Sequence, residues 1–117
     1  MPDTIRANES IEQAEEFLPP VHPGEVLLED FMKPLGITQY RLAQDLGVPA
    51  LRINQIVHGK RAVTPDTALR LARYFGTSAN VWMRLQARYD LEVAEAELAQ
   101  RVAREVKVRQ PSSPVLA

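Results

Sequence analysis

A chain of 117 residues, 45% hydrophobic, holds one domain with a modest core; without a cysteine it has no disulfide framework, thiolate metal site or cysteine nucleophile. No apolar run approaches the ~18 residues of a membrane span, and the polar, acidic opening MPDTIRANES is no signal peptide, so a cytoplasmic protein is expected. The net charge of −1 conceals eight acids against Arg6 alone over residues 1–30 and nine bases against Asp45 and Asp66 over residues 31–88.

Residues 1–20 read as an acidic N-terminal arm. Ser10 with Gln13 forms a weak capping box, and Ile11, Ala14 and Leu18 fall at helical spacing, which allows a short helix at 10–17 before Pro19-Pro20. Two readings stand: a solvated arm, or a segment that docks on a basic partner.

Residues 21–90 read as the main domain. A first helix starts near Pro23, with proline in the turn that needs no N–H, and faces Val26, Leu27, Phe31 and Leu35 inward before Pro34-Leu35-Gly36. Thr38 caps a second helix that buries Leu42, Ala43 and Leu46, and Gly47 ends it. A third runs from about Pro49 to Val57 with Ile53 and Ile56 inward, stopped by His58-Gly59. Thr64-Pro65 opens a fourth helix that buries Ala68, Leu71, Ala72 and Phe75. Ser78 caps a fifth, with Val81, Trp82, Leu85 and Tyr89 in register.

From Leu91 to about Arg109 a C-terminal helix continues the pattern without glycine or proline. Leu91, Ala94, Leu98, Val102 and Val106 form a narrow apolar seam, and Glu97–Arg101 and Glu105–Arg109 are i,i+4 pairs. The seam is expected either to dimerise or to pack back on its own chain. Trp82 carries a similar pair of readings, core packing or dimer contact; the dimer set is Trp82, Tyr89, Leu91, Leu98 and Val102. Residues 110–117 form a tail. The expected class is all-α: five helices with a helical extension and no strands.

Helices two and three, joined by a glycine turn and followed by Gly59-Lys60-Arg61, have the form of a helix-turn-helix that offers its second helix to the DNA major groove. Ala50, Leu51 and Arg52 lie at the start of that helix. Arg52 can offer two parallel N–H groups to a guanine, Asn54 or Gln55 can do the complementary job on adenine, and Ala50 or Leu51 can pack on a thymine methyl. Gln39 at the start of helix two, and Lys60 and Arg61 beyond helix three, are the candidates for phosphate contact.

The run TQYRLAQDLGVPALRINQIVHGKRAVTPDTALRLARYFGTSANVWMRLQ resembles the lambda-repressor-like helix-turn-helix domain. With VHPGEVLLEDFMKPLGI before it, residues 21–92 are similar to the HigA family of antitoxins: His22-Pro23-Gly24-Glu25, Phe31 with Pro34-Leu35-Gly36, Gly59-Lys60-Arg61 and Trp82 match its pattern. Pro49 stands where the family often has a Ser or Thr cap, and His58 where Asn is frequent. The resemblance implies a two-fold dimer on a palindromic double-stranded operator, repression of the protein's own operon, and neutralisation of a small basic RelE-like ribonuclease toxin. A single short helix reads few bases, which independently favours a homodimer on half-sites about one DNA turn apart. The acidic leader is the expected hook for the basic toxin.

Catalysis is not expected, nor is a metal or cofactor. His22 and His58 lie at predicted helix ends without ligands at metal spacing, and no glycine loop cradles a phosphate. The competing functions are a stand-alone repressor without a toxin, and a protein-interaction adaptor that has lost DNA affinity.

Overall fold

The computed structural model describes residues 19–111, which form five helices and no strand. The expected arm helix at 10–17 and the tail from residue 112 lie outside the described residues.

Helix α1 spans residues 23–35 in three continuous stretches: α-helical Pro23–Val26, π-helical Leu27–Met32 and α-helical Lys33–Leu35. His22 caps it, its Nδ1 accepting the Gly24 N–H at 2.9 Å. The π-helical stretch changes the expected inward face at one position, where Met32 is buried and Leu35 is not. There the Lys33 N–H bonds to the Leu28 carbonyl, five residues back, so the burial repeat lengthens from four to five. Leu27 and Met32 are buried, Val26 and Phe31 half-buried, and Leu35 is 62% exposed. Pro34 gives a reason for the wide turn: in a regular helix its ring would press on the carbonyl four residues back.

Helix α2 (Gln39–Leu46) starts at Thr38, whose Oγ1 accepts the Arg41 N–H, and buries Leu42, Ala43 and Leu46 as its spacing predicts. Gly47 at φ 71° turns the chain out of it, and a Cβ there would also meet the Arg70 guanidinium at 3.3 Å. Helix α3 (Ala50–Val57) begins after Pro49, whose extended backbone replaces a side-chain cap, and buries Ile53, Ile56 and Val57. His58 keeps a negative φ of −93°; Gly59, at 71°, takes the left-handed position.

Helix α4 (Pro65–Phe75), capped by Thr64, buries Thr67, Ala68 and Leu71, with Ala72 and Phe75 half-buried. Helix α5 (Ala79–Glu105) is one continuous helix of 27 residues, about 40 Å long. The expected boundary at residues 90 and 91 is therefore no break in the helix. It also stops short of Arg109: Val106 is already extended, and exposed β-branched Val106 and Val108 have little helix propensity and nothing to pack on. The expected Glu105–Arg109 helical pair is thus lost, and Arg101 turns its Nε to Glu105 at 3.1 Å.

Trp82 is fully buried within its own chain. Its ring lies 5.1 Å from that of Phe31, which in turn lies 4.9 Å from Phe75, and its Nε1 donates to Thr77 Oγ1. It is a core residue and has no face left for a partner, which removes it from the dimer set. Val81, one position earlier on α5, turns to solvent. Buried Gln86, in the same helix, accepts the Val63 N–H at 2.7 Å and donates to Asp90.

Candidate nucleic-acid interface

The start of α2 and the exposed face of α3 meet through side chains. Asn54 Nδ2 donates to Gln39 Oε1 at 3.1 Å, which leaves the Gln39 amide N–H groups and the Asn54 carbonyl oxygen turned outward. Gln39 sits at the first position of α2, beside backbone N–H groups that the helix leaves open. Further along α3, Gln55 Oε1 accepts Arg61 Nε at 2.8 Å, so the loop after the helix is tied to the helix face. Ala50, Leu51 and Asn54 are exposed and Gln55 is half-buried. Ala50, Leu51, Asn54 and Gln55 share one side of α3, with Gln39 bonded to Asn54 and Arg61 to Gln55, and Lys60 is exposed in the turn beyond.

Arg52 differs from that set. It lies on the flank of α3 toward α4, and its Nη1 is 2.9 Å from Asp66 Oδ2. Asp66 also receives Arg70 Nε, and Arg70 Nη1 donates to the Leu46 carbonyl at 2.8 Å. Arg70 first, and then Arg52, hold the Asp66 carboxyl below the usual range by hydrogen bonds and charge. The result is a brace from α3 through α4 to the end of α2. To reach a base edge Arg52 must leave Asp66, and an exposed ion pair holds it only weakly.

Sequence patterns alone miss two neighbours of this surface. Tyr40 stands 70% exposed beside Gln39, an aromatic out of the core where a stacking or phosphate contact is open. Asp66, in the first turn of α4, is the competing acceptor for Arg52; its partner lies 14 residues earlier, outside any local pattern.

The expected dimer set divides. Tyr89 packs edge-on against His22 of its own chain, with ring centroids 4.8 Å apart. Leu91, Leu98 and Val102 are 60%, 43% and 49% exposed along α5 and line a shallow apolar groove with Ala94, Ala99 and Ala103. They do not pack back on the chain. Among the described residues no cluster could hold a metal ion, and no helix is long and apolar enough to cross a membrane.

Known proteins match this arrangement over most of its length. A helix-turn-helix family model matches residues 28–82. Virulence-associated protein I of Dichelobacter nodosus is 47% identical over 88 residues, covering 75% of this chain and 82% of that protein. Antitoxin HigA-1 of Vibrio cholerae is 33% identical over 72 residues, covering 62% of this chain and 68% of its own. The structure of the Pseudomonas aeruginosa antitoxin HigA with the higBA promoter superposes with a TM-score of 0.76 at 40% identity, over 78% of this chain and 99% of that one. The chain belongs to the HigA antitoxin family of helix-turn-helix proteins.

Proposed function

We propose that this protein is a cytoplasmic, sequence-specific DNA-binding antitoxin that represses its own operon as a homodimer and neutralises a small basic RelE-like ribonuclease. The observation that carries the DNA-reading part is the surface built by Gln39, Asn54, Gln55 and Arg61, in a fold whose relative was solved with its promoter. In this reading Asn54 and Gln55 contact base edges, Ala50 and Leu51 pack on thymine methyls, and Arg52 reaches a guanine from the flank after leaving Asp66. Gln39, Lys60 and Arg61 grip the phosphates.

The second copy docks along α5. Residues 90–97 carry Asp90, Glu92, Glu95 and Glu97 without a base, whereas Arg101 and Arg104 follow Leu98 against Glu105 alone. Two such helices crossing antiparallel about Leu98 set each acidic half against a basic half, with Leu91, Leu98 and Val102 between them. A parallel pair would oppose like charges.

A mobility-shift assay on the promoter duplex upstream of the protein's own gene tests DNA reading. The expected result is a specific shift whose affinity falls steeply with salt. Co-purification with the product of the adjacent gene tests the toxin. A specific shift without a captured partner would leave a stand-alone repressor; no shift would leave an interaction adaptor.

A further inference from the structure

The segment His22-Pro23-Gly24 opens α1, yet its contacts gather at the far end of the reading helix. Gly24 abuts the last turn of α3: a methyl group on it would stand 1.7 Å from the Ile56 carbonyl oxygen and 3.0 Å from Val57 Cα. That same carbonyl accepts the Gly59 N–H at 3.0 Å, and the Gln55 carbonyl accepts the Lys60 N–H at 2.8 Å. These two bonds shape the turn from which Lys60 and Arg61 project. His22 covers the turn from the other side. Its Nδ1 is taken by the Gly24 N–H, and Gly59 lies against the imidazole, where a Cβ on it would stand 3.7 Å from the His22 Cγ. Tyr89 of α5 closes the pocket edge-on.

We infer that His22 and Gly24 are positioning residues for the DNA-contacting face: they pin the start of α1 to the end of α3 so that the Gly59–Arg61 turn presents its cations in register with Asn54 and Gln55. The inference rests on the DNA-reading role proposed above. Both residues are buried, so neither offers a side chain to DNA or to a protein partner. Capping alone uses only Nδ1 and leaves the remaining contacts of the ring without a purpose. Gly24 is required for a steric reason, because any Cβ would drive the Ile56 carbonyl, and with it the turn, away from α1.

The test uses the full chain and two measurements: amide hydrogen exchange at Gly59, Lys60 and Leu71 without DNA, and affinity for the protein's own promoter duplex beside a random duplex of equal length. His22→Ser keeps an acceptor for the Gly24 N–H but removes the ring. It is expected to raise exchange at Gly59 and Lys60 about tenfold with Leu71 unchanged, since the opening is local. Promoter affinity should fall about tenfold as Lys60 and Arg61 lose register. Gly24→Ala should act in the same direction; if it fails to fold, His22→Ser decides alone. Wild-type exchange at Gly59 and Lys60 in His22→Ser would reduce His22 to a cap and overturn the inference, as would raised exchange with promoter affinity untouched. A wild-type chain that binds no promoter duplex overturns the DNA-reading proposal instead, and the exchange result still decides whether His22 positions the turn.

Discussion

Asn54 on α3 donates a hydrogen bond to Gln39 at the start of α2, so the residue expected to read a base and the residue expected to grip a phosphate hold each other in place. Each is therefore held in orientation in the free protein, which preorganises the proposed contacts. Replacing either with alanine should lower promoter affinity about tenfold, and the double replacement should cost little more, because members of one network are not additive. Titration of the promoter duplex with the two single variants and the double variant checks this. Fully additive losses would show that the bond has no part in DNA reading.

In the proposed reading Arg52 must leave Asp66 to reach a base. Asp66→Asn removes the charge that holds Arg52 and adds to the basic field, so affinity for promoter and random duplexes alike should rise a few-fold. Arg52→Ala should instead lower the promoter-to-random ratio, by about tenfold for one lost guanine contact. Lys60→Ala should weaken both duplexes equally and reduce the salt slope by about one. Parallel salt titrations of the three variants separate these outcomes.

Trp82 and Leu98 answer to different measurements. Trp82→Ala empties a site lined by Phe31 and should destabilise the fold by about 3–5 kcal/mol, read from the urea midpoint. Leu98→Glu should leave helical content intact and yield a monomer by light scattering, since Leu98 lies on the exposed seam.

Helix orientation in the proposed dimer is open to a charge test. Glu95→Lys with Glu97→Lys sets cations against Arg101 and Arg104 of an antiparallel neighbour and should dissociate the dimer. Adding Arg101→Glu and Arg104→Glu to the same chain should restore it. A parallel pair, with like halves facing, would not be dissociated by the first change; sedimentation at matched concentrations distinguishes the two.

His22 makes stability depend on pH. Burial pushes its pKa below the ordinary 6.5, against the opposing pull of Asp90 and of the Arg61 backbone. Its Nδ1 must stay unprotonated to accept the Gly24 N–H. The folded chain thus takes the proton at lower pH than the unfolded chain does. The contribution is fully present above pH 6.5 and is lost as pH falls through the depressed folded value. Urea midpoints at pH 7.5 and 5.5 should differ more for the wild type than for His22→Ser, in which this part of the pH dependence is gone.

The amino-acid sequence by itself determined where the helices start and, at Gly47, where α2 ends. Thr38, Thr64 and Ser78 cap where they are expected, and Gly47 ends α2, because a cap is satisfied by an N–H only three residues away and needs no tertiary partner. The inward faces of α2 and α3 were legible for a similar reason, their period being regular. Helix α1 was not, since a π-helical stretch ahead of Pro34 shifts the register and exchanges Leu35 for Met32 in the core. Only the tertiary structure decided that Trp82 belongs to the core, that Arg52 starts on Asp66, and that His22 lies against Gly59 in the turn beyond the reading helix. Those relationships join residues far apart in the chain. Their energies depend on distances that helix packing sets, and no local pattern of residue types encodes such distances.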